Sequence, residues 1–145
     1  MTTVDVLINS LCKAIEGFPG LRFAVLFGSR ARGEARDTSD VDIGLSFLSP
    51  PPLLQLGGMV SALEEATGIP VDIVELDGLA SRNPLLAYKI ATEGLLLAER
   101  EPGAFDAFRA LAYSMYFDAE PFLEAVRATL SERIRTGNFA RPNHA

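Results

Sequence analysis

Two apolar runs joined by a short polar segment constrain the fold of this chain more than any other feature. Residues 21–27 read Leu-Arg-Phe-Ala-Val-Leu-Phe, nearly continuous apolar, which predicts a strand covered on both faces. The run ends in Gly28-Ser29. After ten more residues, among them Arg30, Arg32 and Arg36, Asp40-Val41-Asp42 leads into a second run over 41–47. That connection is too short for an ordinary crossover helix. A doubly wound sheet is therefore disfavoured and a mixed sheet is expected.

The remaining segments supply the covering layers. Val4, Leu7, Ile8, Leu11, Cys12 and Ile15 recur at helical spacing within 4–17, which predicts a core-facing helix. Gly17-Phe18-Pro19-Gly20 stops it. A short helix is expected over 30–34, with a bend at Gly33. Ser49 and three prolines end the second strand, because consecutive prolines cannot supply ladder donors. Residues 53–67 read as a helix with Leu54, Val60, Leu63 and Ala66 inward, weakened by Gly57-Gly58. A third strand follows Pro70 over 71–76, and Asn83-Pro84 opens a helix over 84–93. Residues 95–98 predict a fourth strand or extended edge, and 102 to about 135 a helical segment broken near Glu120-Pro121. The expected fold is α/β (α+β): a small mixed sheet flanked by helices. Residues 1–100 form its core, and 101–145 a helical extension of the same domain with a disordered tail.

Composition narrows the function. A net charge of −6 and a pI near 4.8 argue against unspecific grip on nucleic acid or an anionic membrane, both of which need many Lys and Arg. Hydrophobic residues make up 48% of the chain, enough for a sizeable core. The lone Cys12 sits on an apolar stripe and is expected to be a structural thiol. No apolar run approaches the ~20 residues of a membrane span, and Met-Thr-Thr-Val-Asp lacks the basic start of a leader. A cytoplasmic protein is expected. His144, in the tail, is given no role.

The chemistry centres on carboxylates. Asp40 and Asp42 are two apart, so on a strand both point to one face. Paired carboxylates repel unless a cation lies between them, and hard oxygen donors suit Mg²⁺ completed by water and substrate phosphate. The plainer alternative is a solvated turn, Asp37-Thr38-Ser39-Asp40. Gly28 permits a sharp turn and close approach of a ligand, and Ser29 adds a hydroxyl donor. Here the plainer alternative is a helix cap. The joint arrangement favours function: a phosphate turn ends one strand and a metal pair opens the next. A third carboxylate would complete a two-metal site. Asp72 and Glu75 are the candidates, and Asp72 is preferred because it falls inside an apolar strand where an unpaired carboxylate is costly. Of the arginines, Arg30 is the best placed to contact phosphate. Lys89 is expected to snorkel from an apolar helix.

Gly28-Ser29, ten residues, Asp40-Val41-Asp42 and then Val71-Asp72-Ile73 together resemble the nucleotidyltransferase domain of the DNA polymerase beta superfamily. The minimal nucleotidyltransferases are the nearest likeness. The segments Asn83-Pro84-Leu85-Leu86 through Glu93-Gly94-Leu95-Leu96-Leu97 and Tyr116-Phe117-Asp118 also resemble them. The resemblance implies that Gly28, Ser29 and Arg30 bind the nucleotide, and that Asp40 and Asp42, with Asp72, form a centre for two Mg²⁺ ions. Asp72 would also orient or activate the acceptor hydroxyl. It implies ATP as substrate and a HEPN-domain ribonuclease toxin as partner, inactivated by transfer of AMP to a tyrosine. Two other readings stay open: nucleotide transfer to a small molecule such as an aminoglycoside, and a non-catalytic antitoxin that masks its toxin. The short chain, with no separate domain for an acceptor pocket, weighs against the first. The intact aspartate set weighs against the second being the whole account. Phe105, Phe108, Leu111, Ala112, Met115, Tyr116, Phe122, Leu123, Val126, Leu130 and Ile134 exceed what a small sheet needs. They either cover it or form a partner face.

Overall fold

Strand β1 (Leu21–Phe27) holds the centre of a four-stranded sheet of order β3-β2-β1-β4. The computed structural model describes residues 3–36 and 38–136. Asp37, His144 and the expected disordered tail lie outside the described residues. β1 is antiparallel to both β2 (Val41–Phe47) and β4 (Leu95–Glu99), whereas β2 runs parallel to β3 (Val71–Glu75). The sheet is mixed, as the connection lengths require. Between β1 and β2 there is room only for the single turn α2 (Ser29–Arg32), and the parallel β2–β3 pair is bridged by a full helix, α3 (Leu53–Thr67).

Every residue of β1 except Arg22 is buried, because helices cover both faces. On one face α1 (Thr3–Ile15) and α3 bring Leu7, Leu11, Ile15 and Leu63 against Leu26, Ile43 and Leu45. On the other, α4 (Leu79–Arg82), α5 (Pro84–Glu93) and the start of α6 (Ala104–Thr136) pack Ala87, Ile90 and Phe105 on Phe23, Val25 and Phe27. Asn83 caps α5 by accepting from the Leu86 N–H at 3.1 Å. The Cys12 thiol donates to the Leu97 carbonyl at 3.2 Å, and burial pushes its pKa up. That is the structural role expected of it.

Three expectations need correction. In α3, Leu63 is buried but Leu54 is 90% exposed and Ala66 is exposed, while Met59 joins the core. Met59 and Leu63 are one turn apart; Leu54 is nine residues from Leu63, half a turn out of phase. α4 was not anticipated; its four residues are too few to show a period. α6 runs unbroken through Pro121. Loss of one helical donor costs about 3 kcal/mol, and around that point Arg127 bridges Glu120 at 2.8 Å and Glu124 at 3.5 Å. The sheet-covering part of α6 ends near Ala112. Tyr116 then stacks on Tyr88 of α5 with ring centroids 3.9 Å apart, and Phe117 and Leu130 are exposed. The side chains of Phe122, Leu123, Val126 and Ile134 lie outside the described residues.

The sheet end formed by Leu21 and Phe47 is tied by charged groups. Arg22 donates from Nε to Glu101 at 2.7 Å and sits 3.5 Å from Asp77, which accepts from Ser46 Oγ and the Phe47 N–H. Arg100 donates to the carbonyls of Ile15, Glu16 and Phe18. Gly94, between α5 and β4, has an ordinary extended backbone, so it is needed for space. A Cβ there would stand 2.5 Å from the Ile90 carbonyl oxygen and closer still to Val25 Cγ1. Gly94→Ala should therefore cost about 2–3 kcal/mol, read in urea as a lower midpoint with an unchanged slope. Among the described residues, no helix is long and apolar enough to cross a membrane.

Candidate active site

The register of the sheet gathers the candidate residues. Phe27 pairs with Asp42 across β1 and β2, and Asp42 pairs with Asp72 across β2 and β3. The turn after Phe27, Asp42 and Asp72 thus follow one another across three adjacent strands. Asp40 stands one residue before β2, where the Val41 N–H donates to the Pro70 carbonyl at 2.9 Å.

Gly28 makes the turn at φ 77° and ψ −160°, a combination essentially confined to glycine. Its Cα faces the Asp42 carboxylate so closely that an added Cβ would stand 3.2 Å from Asp42 Cγ and nearer still to Oδ2. The Gly28 carbonyl accepts from the N–H groups of Ala31 and Arg32, and the Ser29 carbonyl from Glu34, which closes α2 directly after the turn. Ser29 is half-buried at its start.

Asp42 is half-buried and its carboxyl titrates above the usual carboxylate range. Burial is the first cause; the negative charges of Asp72 and then Asp40 add to it, and Arg32 partly offsets them. Asp42 thus holds its charge beside two like charges, with Arg32 partly offsetting them. Arg32 is divided between Glu34 at 3.0 Å and Glu93 at 3.1 Å. Arg30 turns to backbone, donating to the Ser39 and Arg36 carbonyls. Arg36 and Lys89 are exposed.

These residues fit a magnesium centre of the kind that substrate completes. The donors are hard oxygens, and their repulsion is what a divalent cation relieves. Among the described residues no three His, Cys, Asp or Glu side chains form a ready cluster for a metal ion. One or two carboxylates suffice for Mg²⁺ when phosphate and water fill its shell.

Asp72 is exposed and Glu75 half-buried, so the burial argument for preferring Asp72 fails. Register distinguishes their positions: Asp72 pairs with Asp42, and Glu75 with Leu45, three positions further along the strand. Sequence pattern also missed the engagement of Arg30 with Ser39, which carries no periodic signal.

The Gly28-Ser29 turn thus stands beside Asp42 and Asp72 on adjacent strands. The family described as "Polymerase beta, Nucleotidyltransferase" matches residues 9–103, and the chain belongs to that family. A Methanocaldococcus jannaschii protein, provisionally named a protein adenylyltransferase, is 37% identical over 76 residues, covering 52% of this chain and 78% of the relative. The protein adenylyltransferase MntA of Thermococcus cleftensis is 42% identical over 62 residues, 43% of this chain and 63% of its own length. A solved structure of a tri-AMPylated Shewanella oneidensis HEPN toxin with its MNT antitoxin contains a chain of the same fold. The TM-score is 0.68 at 21% identity, covering 89% of this chain and 99% of that one.

Proposed function

We propose that this chain is a protein adenylyltransferase. It moves AMP from ATP to a tyrosine hydroxyl of a HEPN-domain toxin and so acts as its antitoxin. The observation that carries the reading is the row of Gly28, Asp42 and Asp72 across three neighbouring strands, with Asp40 beside it. The names of the relatives, and the AMPylated HEPN toxin in the structural neighbour, support the choice of acceptor.

In the reaction the acceptor oxygen attacks the α-phosphorus of ATP, the bond to the bridging oxygen breaks, and pyrophosphate leaves. Gly28 and Ser29 receive the phosphates on a turn whose missing side chain allows close approach, with Arg30 at the same turn. Asp40 and Asp42 would hold the metal, with Asp72 adjacent. Two Mg²⁺ ions bound there would neutralise the triphosphate and the developing charge on the attacking and leaving oxygens. Asp72, exposed on the strand next to Asp42, takes up the hydroxyl proton of the incoming acceptor. Catalysis of this kind rests on positioning and charge neutralisation.

The test is incubation with α-labelled ATP, Mg²⁺ and the HEPN partner. The partner should carry label, and the Asp40→Asn/Asp42→Asn double variant should leave it at background. No label above that background would end this reading. An inactive variant that still protected cells would favour masking, and label on an added aminoglycoside would favour a small-molecule acceptor.

A further inference from the structure

We propose that Arg30 is a positioning residue that clamps the chain immediately before Asp40, so that Asp40 and the Gly28-Ser29 turn move as one unit. This rests on the nucleotidyl-transfer reading of the site. Arg30 lies on α2, which begins at the turn itself. Its guanidinium reaches the Ser39 carbonyl from two nitrogens, Nε at 3.2 Å and Nη2 at 2.6 Å, and Nη2 also meets the Arg36 carbonyl at 3.4 Å. The segment it grips is itself closed: the Ser39 N–H donates to the Arg36 carbonyl at 2.9 Å, and the Arg36 N–H to Ser39 Oγ at 2.9 Å.

The Ser39 carbonyl belongs to the planar peptide that carries the Asp40 nitrogen. Gripping that oxygen orients the plane from which the Asp40 side chain departs. On the other side of Asp40, the Val41 N–H is fixed to the Pro70 carbonyl. Asp40 is exposed and lies outside the strand ladder, so these two flanking bonds do for it what β2 does for Asp42. Two donors of one planar fork converge on a single acceptor, a geometry lysine cannot reproduce. With Nε and Nη2 committed to carbonyls, Arg30 acts on the reaction through Asp40.

The test uses Arg30→Lys and Arg30→Met in the full chain, with three readouts. Backbone amide exchange at Ser39 and Val41 should quicken about tenfold in both variants, while Leu26 in the core is unchanged. Binding of Mn²⁺ alone, followed by its electron paramagnetic resonance signal, should weaken about tenfold, the usual scale for loss of a group that orients a metal ligand. ATP binding in EDTA should stay within about twofold, so that kcat falls with little change in KM and Lys gives no rescue. Unchanged exchange at Ser39 and Val41 would overturn the proposal. So would weakened ATP binding in EDTA with Mn²⁺ affinity intact, which is the signature of a phosphate ligand. A wild-type chain that neither binds Mn²⁺ nor labels its partner would defeat the nucleotidyl-transfer reading, while the exchange measurement would still decide the clamp.

Discussion

Asp42→Asn should abolish transfer and at the same time make the metal-free protein more stable. Activity is expected to fall about 1000-fold, the scale seen when one group stabilising charge at a reaction centre is removed. The opposite sign for stability follows from the carboxyl's environment. Burial, Asp72 and Asp40 raise its folded-state pKa above the ordinary 3.8. Between the two values the folded state binds more protons than the unfolded one, so stability falls as pH rises through the folded pKa. At pH 7 the ionised carboxylate is a full liability; below its ordinary value the liability is gone. Asn carries no charge at any pH. The variant should therefore melt higher than wild type at pH 7. That gap should narrow as the pH is lowered toward 4, and Mg²⁺ should raise the melting temperature of wild type alone. Thermal melts of both proteins across pH, with and without Mg²⁺, check all three. A variant that melts lower than wild type at pH 7 would mean that Asp42 contributes to the fold rather than burdening it.

Gly28→Ala should be nearly as damaging to activity, by a different route. At φ 77° and ψ −160° a side chain costs about 1–3 kcal/mol in backbone strain. The new Cβ also points into the Asp42 carboxylate, which must move. A displacement near 1 Å at a reacting centre costs about 100-fold. Gly33→Ala is the comparison for positive φ alone: its backbone is ordinary left-handed at φ 74° and ψ 17°, and a Cβ there meets nothing within 4 Å. Gly28→Ala should lose more stability than Gly33→Ala in denaturant titrations, and only Gly28→Ala should lose kcat/KM on the 100-fold scale. Equal loss of activity in the two would show that turn geometry, not the approach to Asp42, is what Gly28 provides.

What could be read from the chain beforehand was whatever repeats or ends a pattern. The strands at 21–27 and 41–47 announce themselves because both faces are buried and the apolar run is continuous, and the helix at 84–93 because Asn83-Pro84 marks its start and Gly94 its end. Thirteen connecting residues sufficed to argue a mixed sheet. Neighbourhood across strands was not legible: Asp72 was chosen over Glu75 for burial it does not have, and it lies beside Asp42 because of register. Nor was the grip of Arg30 on Ser39, since a side chain's reach to a backbone carbonyl nine residues on has no period. The face of α3 was misread at Leu54 because Gly57-Gly58 blur the stripe from which its phase is judged.

α6 spans 33 residues, about 50 Å of helix, yet its buried side chains, Ala104, Phe105 and Ala112, all lie in the first third among the described residues. The two parts of that helix consequently answer to different neighbours. Substitutions up to Ala112 are judged by the sheet they cover, and hence by the alignment of three aspartates. Those beyond Tyr116 leave that alignment alone. Substitutions at the exposed positions of the distal helix, such as Phe117 and Leu130, should therefore cost the sheet little.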